Sequence, residues 1–538
     1  MHAIGRQFDP WPASERALSP RRVHVEAAVV SILATALDLA AGLYINLALN
    51  YTKSDAFSRV ANAFYVLYSR TPHLAAIGFV WNPLPSLLEL LLVPLKALWP
   101  PLVTSGVAAV VWSAVFGGLA VYLLVEILAE FHLSPAFRAS AGILFALNPL
   151  IIFYGANGMT EVMLIATMLG TLLGVLRYLG PGNLATLTAA ALWLAVGFSI
   201  RYEAAPFGVF VGLALAAALR WRGVPWRRIE SALLLLLAPL VYVSGLWLYL
   251  NWLIMKNPLF FMDGTYSNAA FSSSGSYQYA LLGQLKGHPL DALAFVASMT
   301  LLFWPVIPAG LIALGRLLGR LRDGRMLLLF AMSAVPLLQF ALLERGLSSG
   351  LARYFIYFIP MGVLLVALLV ADARTCRRSV LLVLAALALA LGDLGTGYAV
   401  LTSPILGHGD RSDLLGIVHG RPTPQYVARN QVVTYLNAHP TLTVLTDSAY
   451  AYPIIVRVHN PRQLIIDSDA DFQSILENPR GRVDAFLVPD IAGGHIPDAV
   501  SVAWPGMSSG KVTWVRLIAS FRSADMDEEL YRILPNAP

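Results

Sequence analysis

The sequence contains little cysteine and little charge, and each shortage excludes a class of protein. The single cysteine, Cys376, cannot form an internal disulfide, and without a CxxC motif no cysteine pair can hold a metal ion or carry out redox chemistry. Charged residues make up 13% of the 538 residues, against about 25% in an ordinary soluble domain. With 57% hydrophobic residues, the chain is predicted to use lipid as its solvent.

Other familiar signals are also missing. Residues 1–22 lack the short apolar core and small-residue cleavage site of a secretory signal, so the first apolar run is expected to stay as a membrane anchor. The net charge of +6 does not indicate a nucleic-acid partner, because the arginines lie in short clusters between apolar runs, a pattern typical of membrane topology. The sequence shows no repeat of fixed period.

Apolar runs of membrane-spanning length dominate residues 1–400. A helix needs about 20 apolar residues to cross the hydrocarbon. About eleven such runs occur, near 25–49, 105–130, 138–155, 161–179, 183–200, 204–220, 230–253, 290–315, 326–343, 354–372 and 379–400. The shorter stretch 86–98, bounded by Pro83, Pro85 and Pro100, is predicted to be an interfacial helix. The fold class is therefore a polytopic α-helical membrane protein.

The arginines predict the orientation, because cytoplasmic loops collect Arg and Lys. With the N-terminus in the cytoplasm of a plasma (inner) membrane, every predicted inside loop carries at least one arginine. That set is Arg21, Arg22, Arg138, Arg177, Arg220, Arg222, Arg227, Arg228, Arg316, Arg320, Arg322, Arg325, Arg374, Arg377 and Arg378. The outer side then receives residues 50–104, the loop 254–289 and everything after about residue 401.

The composition changes after about residue 400, which predicts a membrane domain at 1–400 and an outer α/β domain at 401–538. Short β-rich runs alternate there with helix-like stretches. The β-rich runs are 442–448, 452–458, 462–467, 483–489 and 512–521, and the helix-like stretches are 424–440 and 470–479.

The first outer loop contains the most informative polar residue, Asp55. It follows the first predicted span by a few residues, and Ser54 before it can cap a helix predicted from about Ala56 to Ser69. A carboxylate there lies at the lipid–water boundary, within reach of a lipid phosphate. The structural alternative is that Asp55 only interacts with the helix dipole or pairs with Arg59 one turn later.

The order of features in this loop resembles the GT-C superfamily of membrane glycosyltransferases. The residues that carry the resemblance are DAFSRVANAFYVL and the later WNPLPSLLELLLVPL. They are similar to the acidic residue, helix, proline-rich turn and interfacial helix of the protein mannosyltransferase and aminoarabinose-transferase relatives. The resemblance covers the spans and the first loop, and the tail matches no known pattern. Many mannosyltransferases have two adjacent acidic residues where this chain has Ser54 and Asp55, so use of a divalent cation stays open.

The resemblance implies a reaction and assigns roles to residues. A sugar would pass from a polyprenyl-phosphate carrier to a hydroxyl of a lipid, glycan or protein, with inversion at the anomeric carbon. Asp55 is the predicted general base, which takes the proton of the hydroxyl as it attacks. Cations are needed where charge develops on the leaving phosphate. The candidates for binding this phosphate are Arg201, Arg353, Lys256 and Arg59.

The cationic candidates also have structural interpretations. Arg201 has a partner within its own segment in Glu203, and both Arg201 and Arg353 are placed where an arginine can reach lipid headgroups. Lys256 is typical of an interfacial anchor. An arginine differs from a lysine in that it can grip phosphate with two parallel hydrogen bonds.

Three further outer residues are candidates for an acceptor or cation site, namely Glu161, Asp263 and His73. Glu161 starts the fourth predicted span, where GT-C relatives often place a second acidic residue, although Thr160 as a helix cap explains it equally well. Asp263 precedes Gly264, as in a turn. His73 is a weak metal signal, because zinc usually takes three or four protein ligands.

Two other classes of function are consistent with a membrane protein of this size. Transporters usually place ionisable groups near mid-membrane and have related halves. The predicted spans keep charged residues mostly at their ends, apart from Glu126 and Asp393 near span termini, and no related halves are found. A non-catalytic scaffold that presents the outer domain to a partner is the other alternative. The transferred sugar and the acceptor cannot be derived from the sequence.

Overall fold

The computed structural model describes residues 20–180, 182–267, 270, 283–319, 323–373, 378–490, 497–524 and 526–534. Arg320, Arg322, Arg374 and Arg377, named above for the orientation, lie outside these ranges. The described chain is mostly helical, with one small sheet near its C-terminal end.

The helices of the first half are α1 (Pro20–Leu43, continued by a π-helical turn Tyr44–Ala48), α2 (Ser54–Tyr68), α3 (Leu84–Leu90), α4 (Pro101–Thr104), α5 (Val107–Glu130), α6 (Pro135–Leu147), α7 (Pro149–Ala156), α8 (Glu161–Leu179), α9 (Leu184–Ile200), α10 (Ala204–Trp221), α11 (Trp226–Met255) and α12 (Phe260–Asp263). Those of the second half are α13 (Pro289–Ser298), α14 (Val306–Leu318), α15 (Gly324–Phe330), α16 (Ala334–Glu344), α17 (Phe358–Ala371), α18 (Arg378–Thr402), α19 (Arg411–Val418), α20 (Val427–Ala438), α21 (Ser448–Ile455), α22 (Phe472–Glu477) and α23 (Ala499–Ala503). The strands are β1 (Val444–Leu445), β2 (Leu464–Ile465), β3 (Ala485–Pro489), β4 (Val515–Phe521) and β5 (Glu528–Ile533).

The membrane-spanning helices confirm a multi-pass membrane protein but not the predicted count of eleven. Among the described residues, eight helices are long and apolar enough to cross a bilayer, or ten if each of two bent pairs is one span. The remaining predicted run, 183–200, forms α9, which is apolar but only 17 residues long. At about 1.5 Å per residue such a helix falls a little short of the hydrocarbon thickness.

Two predicted spans are broken rather than continuous. The run 138–155 forms α6 and α7, which meet at 63°, and the run 290–315 forms two helical segments that meet at 110°. Pro149 and Pro305 stand at the breaks, where proline lacks the N–H that would continue the helix. At the first break Asn148 caps α7 by accepting the N–H of Leu150 at 3.1 Å.

Two of the carboxylates within the spans are those of Asp393 and Asp38. Asp393 accepts a hydrogen bond from the Asn148 amide at 2.8 Å and so supports the cap of α7. Asp38, inside α1, corrects the sequence prediction, which named only Glu126 and Asp393. It is 3% exposed and faces Gly117 and Gly155, where a Cβ atom would collide with its carboxylate. This enclosure by glycines is typical of close helix packing rather than of a water-lined path.

The first outer loop contains the predicted helices with one difference. Because α2 already begins at Ser54, Lys53 is the residue before the helix, and its side chain makes no capping hydrogen bond with the described residues. The predicted cap by Ser54 is therefore wrong. The stretch 86–98 falls on α3 and a 3₁₀ turn at Val93–Ala97. Apolar side chains exposed near this turn are those of Leu91, Leu95 and Leu98.

The tail forms a five-stranded sheet with the order β2-β1-β3-β5-β4. β1 runs parallel to β2 and β3, whereas β5 is antiparallel to β3 and β4. Four of the five predicted β-rich runs contain a strand, but the run 452–458 belongs largely to α21. Asp447 caps that helix by accepting the N–H of Ala449 at 2.8 Å.

The tail packs directly on the first outer loop. Arg457 donates to the carbonyl of Thr104 at 2.8 Å, and the ring of Phe57 on α2 meets those of Tyr426 and Tyr452 at centroid distances of 5.8 and 5.5 Å. Arg70, just after α2, forms ion pairs with the tail. The sheet domain therefore covers the helix that carries Asp55.

Candidate functional site

An ion pair joins two distant predicted site residues. Asp55 lies in the first turn of α2, and Arg353 lies in the 3₁₀ turn Ala352–Phe355 that precedes α17. Nη2 of Arg353 donates to Oδ2 of Asp55 at 3.0 Å, across 298 residues of sequence. The predicted alternative, a direct pair between Asp55 and Arg59, is not formed within 4 Å among the described side chains.

Arg201 extends this contact into a larger group. It donates to Oε1 of Glu161 at 2.8 Å and to Oε1 of Glu203 at 2.5 Å. The same oxygen of Glu161 is 3.8 Å from Nε of Arg353. We call this group the carboxylate–arginine cluster, and its members are Asp55, Arg59, Glu161, Arg201, Glu203 and Arg353. Arg201 also donates to Thr160 at 3.2 Å, so the hydroxyl of Thr160 accepts from Arg201 and does not cap α8.

The cluster is buried on one side and open on the other. Glu161 is fully buried, and Glu203 is 4% exposed. By contrast, a quarter of the Asp55 side-chain surface is exposed. A substrate hydroxyl can therefore reach Asp55, while the carboxylates behind it serve the arginines.

Arg59 is the least satisfied charge in the cluster. It is 4% exposed, and its guanidinium lies 4.7 Å from the centre of the Trp81 ring. Within the described part of the chain it makes no hydrogen bond or ion pair, and Nη1 is buried without a partner. Since a buried donor without an acceptor costs stability, an anionic ligand is the natural partner of this side chain.

Other polar atoms around Arg59 also lack partners. Buried atoms without a hydrogen-bond partner among the described residues include Oε2 of Glu161, Oε2 of Glu203, Nε of Arg353 and the hydroxyl of Tyr357. Native interiors contain few such atoms. Donors and acceptors gathered in this way suit a ligand that carries both hydroxyl groups and negative charge.

The electrostatics of the first loop favour an ionised Asp55 and act on the buried side chains of Glu89 and Arg59. Burial opposes ionisation of Asp55, but Arg353 and Arg59 outweigh it and lower the pKa of the carboxyl below its usual value. Burial raises the pKa of Glu89 on α3 well above the ordinary range, against the opposing effect of the Arg59 charge. Burial also lowers the pKa of Arg59, against the opposing effects of Asp55 and Glu89.

Three predicted site residues make their contacts elsewhere. Lys256 donates to the carbonyl of Leu253 at 2.9 Å, Asp263 accepts from Asn257 at 2.7 Å, and Nδ1 of His73 lies 2.6 Å from the carbonyl of Thr71. Among the residues described, none of the three has a contact with the cluster. Their proposed roles in donor, acceptor or cation binding remain predictions.

The sequence interpretation missed Lys53, Tyr154 and Asp410, which adjoin the cluster. Lys53 forms ion pairs with Asp410 at 2.9 Å and Asp413 at 2.8 Å. Tyr154 donates to the other oxygen of Asp410. Asp410 follows the last predicted span, 379–400, by ten residues, and a position just beyond the first span is the signal that singled out Asp55.

The described residues of the cluster do not form a complete set of ligands for a divalent cation. Oε1 of Glu161, the candidate cation ligand, is committed to Arg201 and lies near Arg353. In the described ranges, no three His, Cys, Asp or Glu side chains are arranged to hold a metal ion. We therefore derive no step through a metal.

Comparison with solved structures establishes the fold. ArnT from Cupriavidus metallidurans bound to undecaprenyl phosphate matches with a TM-score of 0.53 and 14% identity, over 93% of this chain and 97% of that chain. Its apo state matches with a TM-score of 0.55 and 14% identity over the same shares. Archaeal oligosaccharyltransferase AglB from Archaeoglobus fulgidus, in complex with an inhibitory peptide and a dolichol-phosphate, gives a TM-score of 0.44 and 13% identity, over 85% of this chain and 69% of that chain.

The likeness to ArnT extends along almost the whole of both chains, whereas the score for AglB is too low to support an inference. Neither a scan against protein-family models nor a search of curated proteins finds a match to the sequence. At 14% identity, the likeness to ArnT shows a shared fold and no more. The chain therefore shares the fold of ArnT, which agrees with the resemblance of its first outer loop to the GT-C superfamily.

Proposed function

We propose that the protein is an inverting glycosyltransferase that moves a sugar from a polyprenyl-phosphate carrier to an acceptor hydroxyl on the extracytoplasmic face of the membrane. The observation that carries the proposal is the pairing of two unlike groups in one buried cluster. Asp55 is an ionised and partly exposed carboxylate, and Arg59 is a buried cation that lacks a partner among the described residues. The carboxylate of Asp55 can remove a proton, and the guanidinium of Arg59 can bind a phosphate.

The proposed reaction uses these groups in one displacement step. Asp55 takes the proton of the acceptor hydroxyl while the hydroxyl oxygen attacks the anomeric carbon. The bond between that carbon and the phosphate oxygen breaks on the opposite face, which inverts the configuration. Polyprenyl phosphate leaves with one more negative charge than it had in the donor, and Arg59 and Arg353 stabilise that charge. The proton on Asp55 passes to water.

Orientation is part of this proposal. The arginine distribution supports an outer position for the tail and the cluster, where a lipid-linked sugar would be used. The test replaces Cys376 with serine and introduces one cysteine at a time at two exposed positions, Lys511 in the tail and Arg228 at the start of α11. We expect a membrane-impermeant maleimide to label intact cells at position 511 only. Labelling of position 228 alone would reverse the orientation and overturn the proposal.

The activity itself can be tested without knowing the acceptor. Purified protein in liposomes is given undecaprenyl-phosphate hexoses and pentoses in turn, together with an extract of envelope lipids, glycans and proteins. We expect undecaprenyl phosphate to be released from at least one donor. Release from none of them, or equal release by an Asp55→Ala variant, would favour the scaffold alternative, because a scaffold does not need this carboxylate.

The pH dependence offers a test of the pair formed by Asp55 and Arg353. Catalysis needs ionised Asp55, so the rate falls as pH drops through its pKa. In the wild type Arg353 and Arg59 hold that pKa below its usual value, which is about 3.9. Little acid loss of kcat/KM is therefore expected above about pH 5. In Arg353→Gln, burial is opposed by less positive charge, so we expect the acid limb to move to higher pH.

The measurement for this variant is kcat/KM between pH 4 and pH 8, which reports the free enzyme. Arg345→Gln serves as a control, since Arg345 lies in the segment just before the 3₁₀ turn and outside the cluster. A lower rate in Arg353→Gln with no movement of the acid limb would show that Arg353 does not control the ionisation of Asp55.

A further inference from the structure

Residues 407–413, which we call the connector, follow the last long helix. They contact both Lys53, close to Asp55, and the turn that carries Arg353. On one side the connector contacts Lys53, which stands two residues before Asp55. Nζ of Lys53 lies 2.9 Å from Oδ1 of Asp410 and 2.8 Å from Oδ2 of Asp413. The connector therefore holds the residue that immediately precedes α2.

On its other side the connector holds the turn that carries Arg353. The N–H of Ala352 donates to the carbonyl of His408 at 3.0 Å. Gly409 adopts a φ of +82°, a backbone conformation that favours glycine, and its Cα lies close to the side chain of Leu351. The turn beginning at Ala352 is thus fixed against the connector by a hydrogen bond and by close contact.

Asp410 is the residue through which these contacts converge. It is 2% exposed, and its two carboxylate oxygens serve different partners: Oδ1 accepts from Lys53 and Oδ2 from Tyr154. Tyr154 is fully buried on α7, the helix that leads into Glu161. A single carboxylate thus ties the start of α2 to the segment that precedes α8.

We propose that Asp410 is a positioning residue for the transfer reaction, which fixes Asp55 relative to Arg353 and Glu161 by holding Lys53 and Tyr154. The inference rests on the proposed function, but its structural part can be tested without activity. Asp410 does not touch the substrate or the reacting atoms in this role. It acts by keeping the general base and the phosphate-binding arginines at a constant separation.

The chemistry of the buried groups explains why Asp410 should matter more than its neighbour. The Lys53 side chain is 14% exposed and that of Asp410 only 2%, whereas that of Asp413 is 29% exposed. Without the Asp410 charge, Lys53 would keep only the more exposed partner, and the start of α2 could move. Displacing a catalytic group by about 1 Å can cost about 100-fold in rate.

The test compares Asp410→Asn with Asp413→Asn, a matched control that removes the other carboxylate on the same ammonium group. We expect amide hydrogen exchange at residues 55–59 to become faster in Asp410→Asn and to stay close to wild type in Asp413→Asn. We also expect kcat to fall about 10- to 100-fold in Asp410→Asn with little change in the donor KM. The apparent Tm of each variant in detergent shows whether it is folded.

A double-mutant cycle with Lys53→Met separates a positioning role from a general loss of stability. If Asp410 acts through Lys53, the double variant Lys53→Met/Asp410→Asn loses no more of kcat than the worse single variant. Losses that multiply, or exchange at residues 55–59 that is unchanged in Asp410→Asn, overturn the inference. If the wild type releases no polyprenyl phosphate, the proposed function fails and the exchange comparison still decides whether Asp410 positions α2.

Discussion

Asp55→Asn is expected to lower the rate of transfer by about 10²- to 10⁴-fold, the usual contribution of a general base. Asparagine has nearly the shape of aspartate and its carbonyl can still accept the hydrogen bond from Arg353, which is 3.0 Å away. Its neutral amide cannot take a proton from an acceptor hydroxyl. The loss should appear in kcat and in kcat/KM alike, measured as polyprenyl phosphate released per minute from proteoliposomes.

Ser54→Ala is the matched control for this variant, because Ser54 lies next to Asp55, is exposed and has no capping hydrogen bond. We expect its activity to equal that of the wild type. The apparent Tm of Asp55→Asn should stay close to the wild-type value, since the variant loses only the charge of one partly exposed side chain. Full activity in Asp55→Asn would remove the general base from the proposed mechanism, whatever happens to the fold.

Much of the membrane domain could be predicted because apolar runs follow directly from the thickness of a bilayer. The errors arise where a local feature interrupts a run. Pro149 and Pro305 break two predicted spans, and both prolines are visible in the sequence. The inward-facing Asp38 was overlooked because its neighbours are apolar, and only the structure shows that it lies against Gly117 and Gly155.

The errors in the tail have a different origin. The run 452–458 is rich in β-branched residues, yet it starts as a helix because Asp447 caps α21. The sequence does not predict strand β5, because its first residues, Glu528 and Glu529, are charged and typical of a solvent-exposed segment. In the structure both are buried, and Arg429 pairs with Glu528 at 3.1 Å. A local pattern cannot reveal a partner about 100 residues away.

The cluster shows the same limit. Asp55, Arg353 and Glu161 were each found from their position at a span end, but no sequence pattern connects them across the chain. The pairing of Arg201 with Glu203 was foreseen because the partners are two residues apart. Asp410 and Lys53 are 357 residues apart, and their contact depends on how the tail returns to the first loop.

Arg59→Gln is expected to reduce kcat/KM by about 10²- to 10³-fold, the usual cost of removing one group that stabilises charge in the transition state. Arg59 has no partner among the described residues apart from the face of Trp81, so its charge is available to the leaving phosphate. The same isolation means that Arg59 lowers the stability of the protein without ligand, because a buried charge without a partner is destabilising. We therefore expect the apparent Tm without donor to rise in Arg59→Gln while activity falls.

This opposite movement of stability and activity distinguishes a ligand-binding arginine from a structural one. Replacing a structural arginine would lower both.

Lys96→Gln is the control. Lys96 is another cation of the same outer loop and lies outside the cluster, with Nζ 4.4 Å from the centre of the Phe64 ring and 3.9 Å from that of the Tyr68 ring. It should leave kcat/KM unchanged. Addition of undecaprenyl phosphate should raise the Tm of the wild type and of Lys96→Gln but not that of Arg59→Gln, since a ligand stabilises only the form that binds it. A fall in both Tm and activity in Arg59→Gln would assign Arg59 to the packing of α2 and would leave Arg353 as the cation that meets the phosphate.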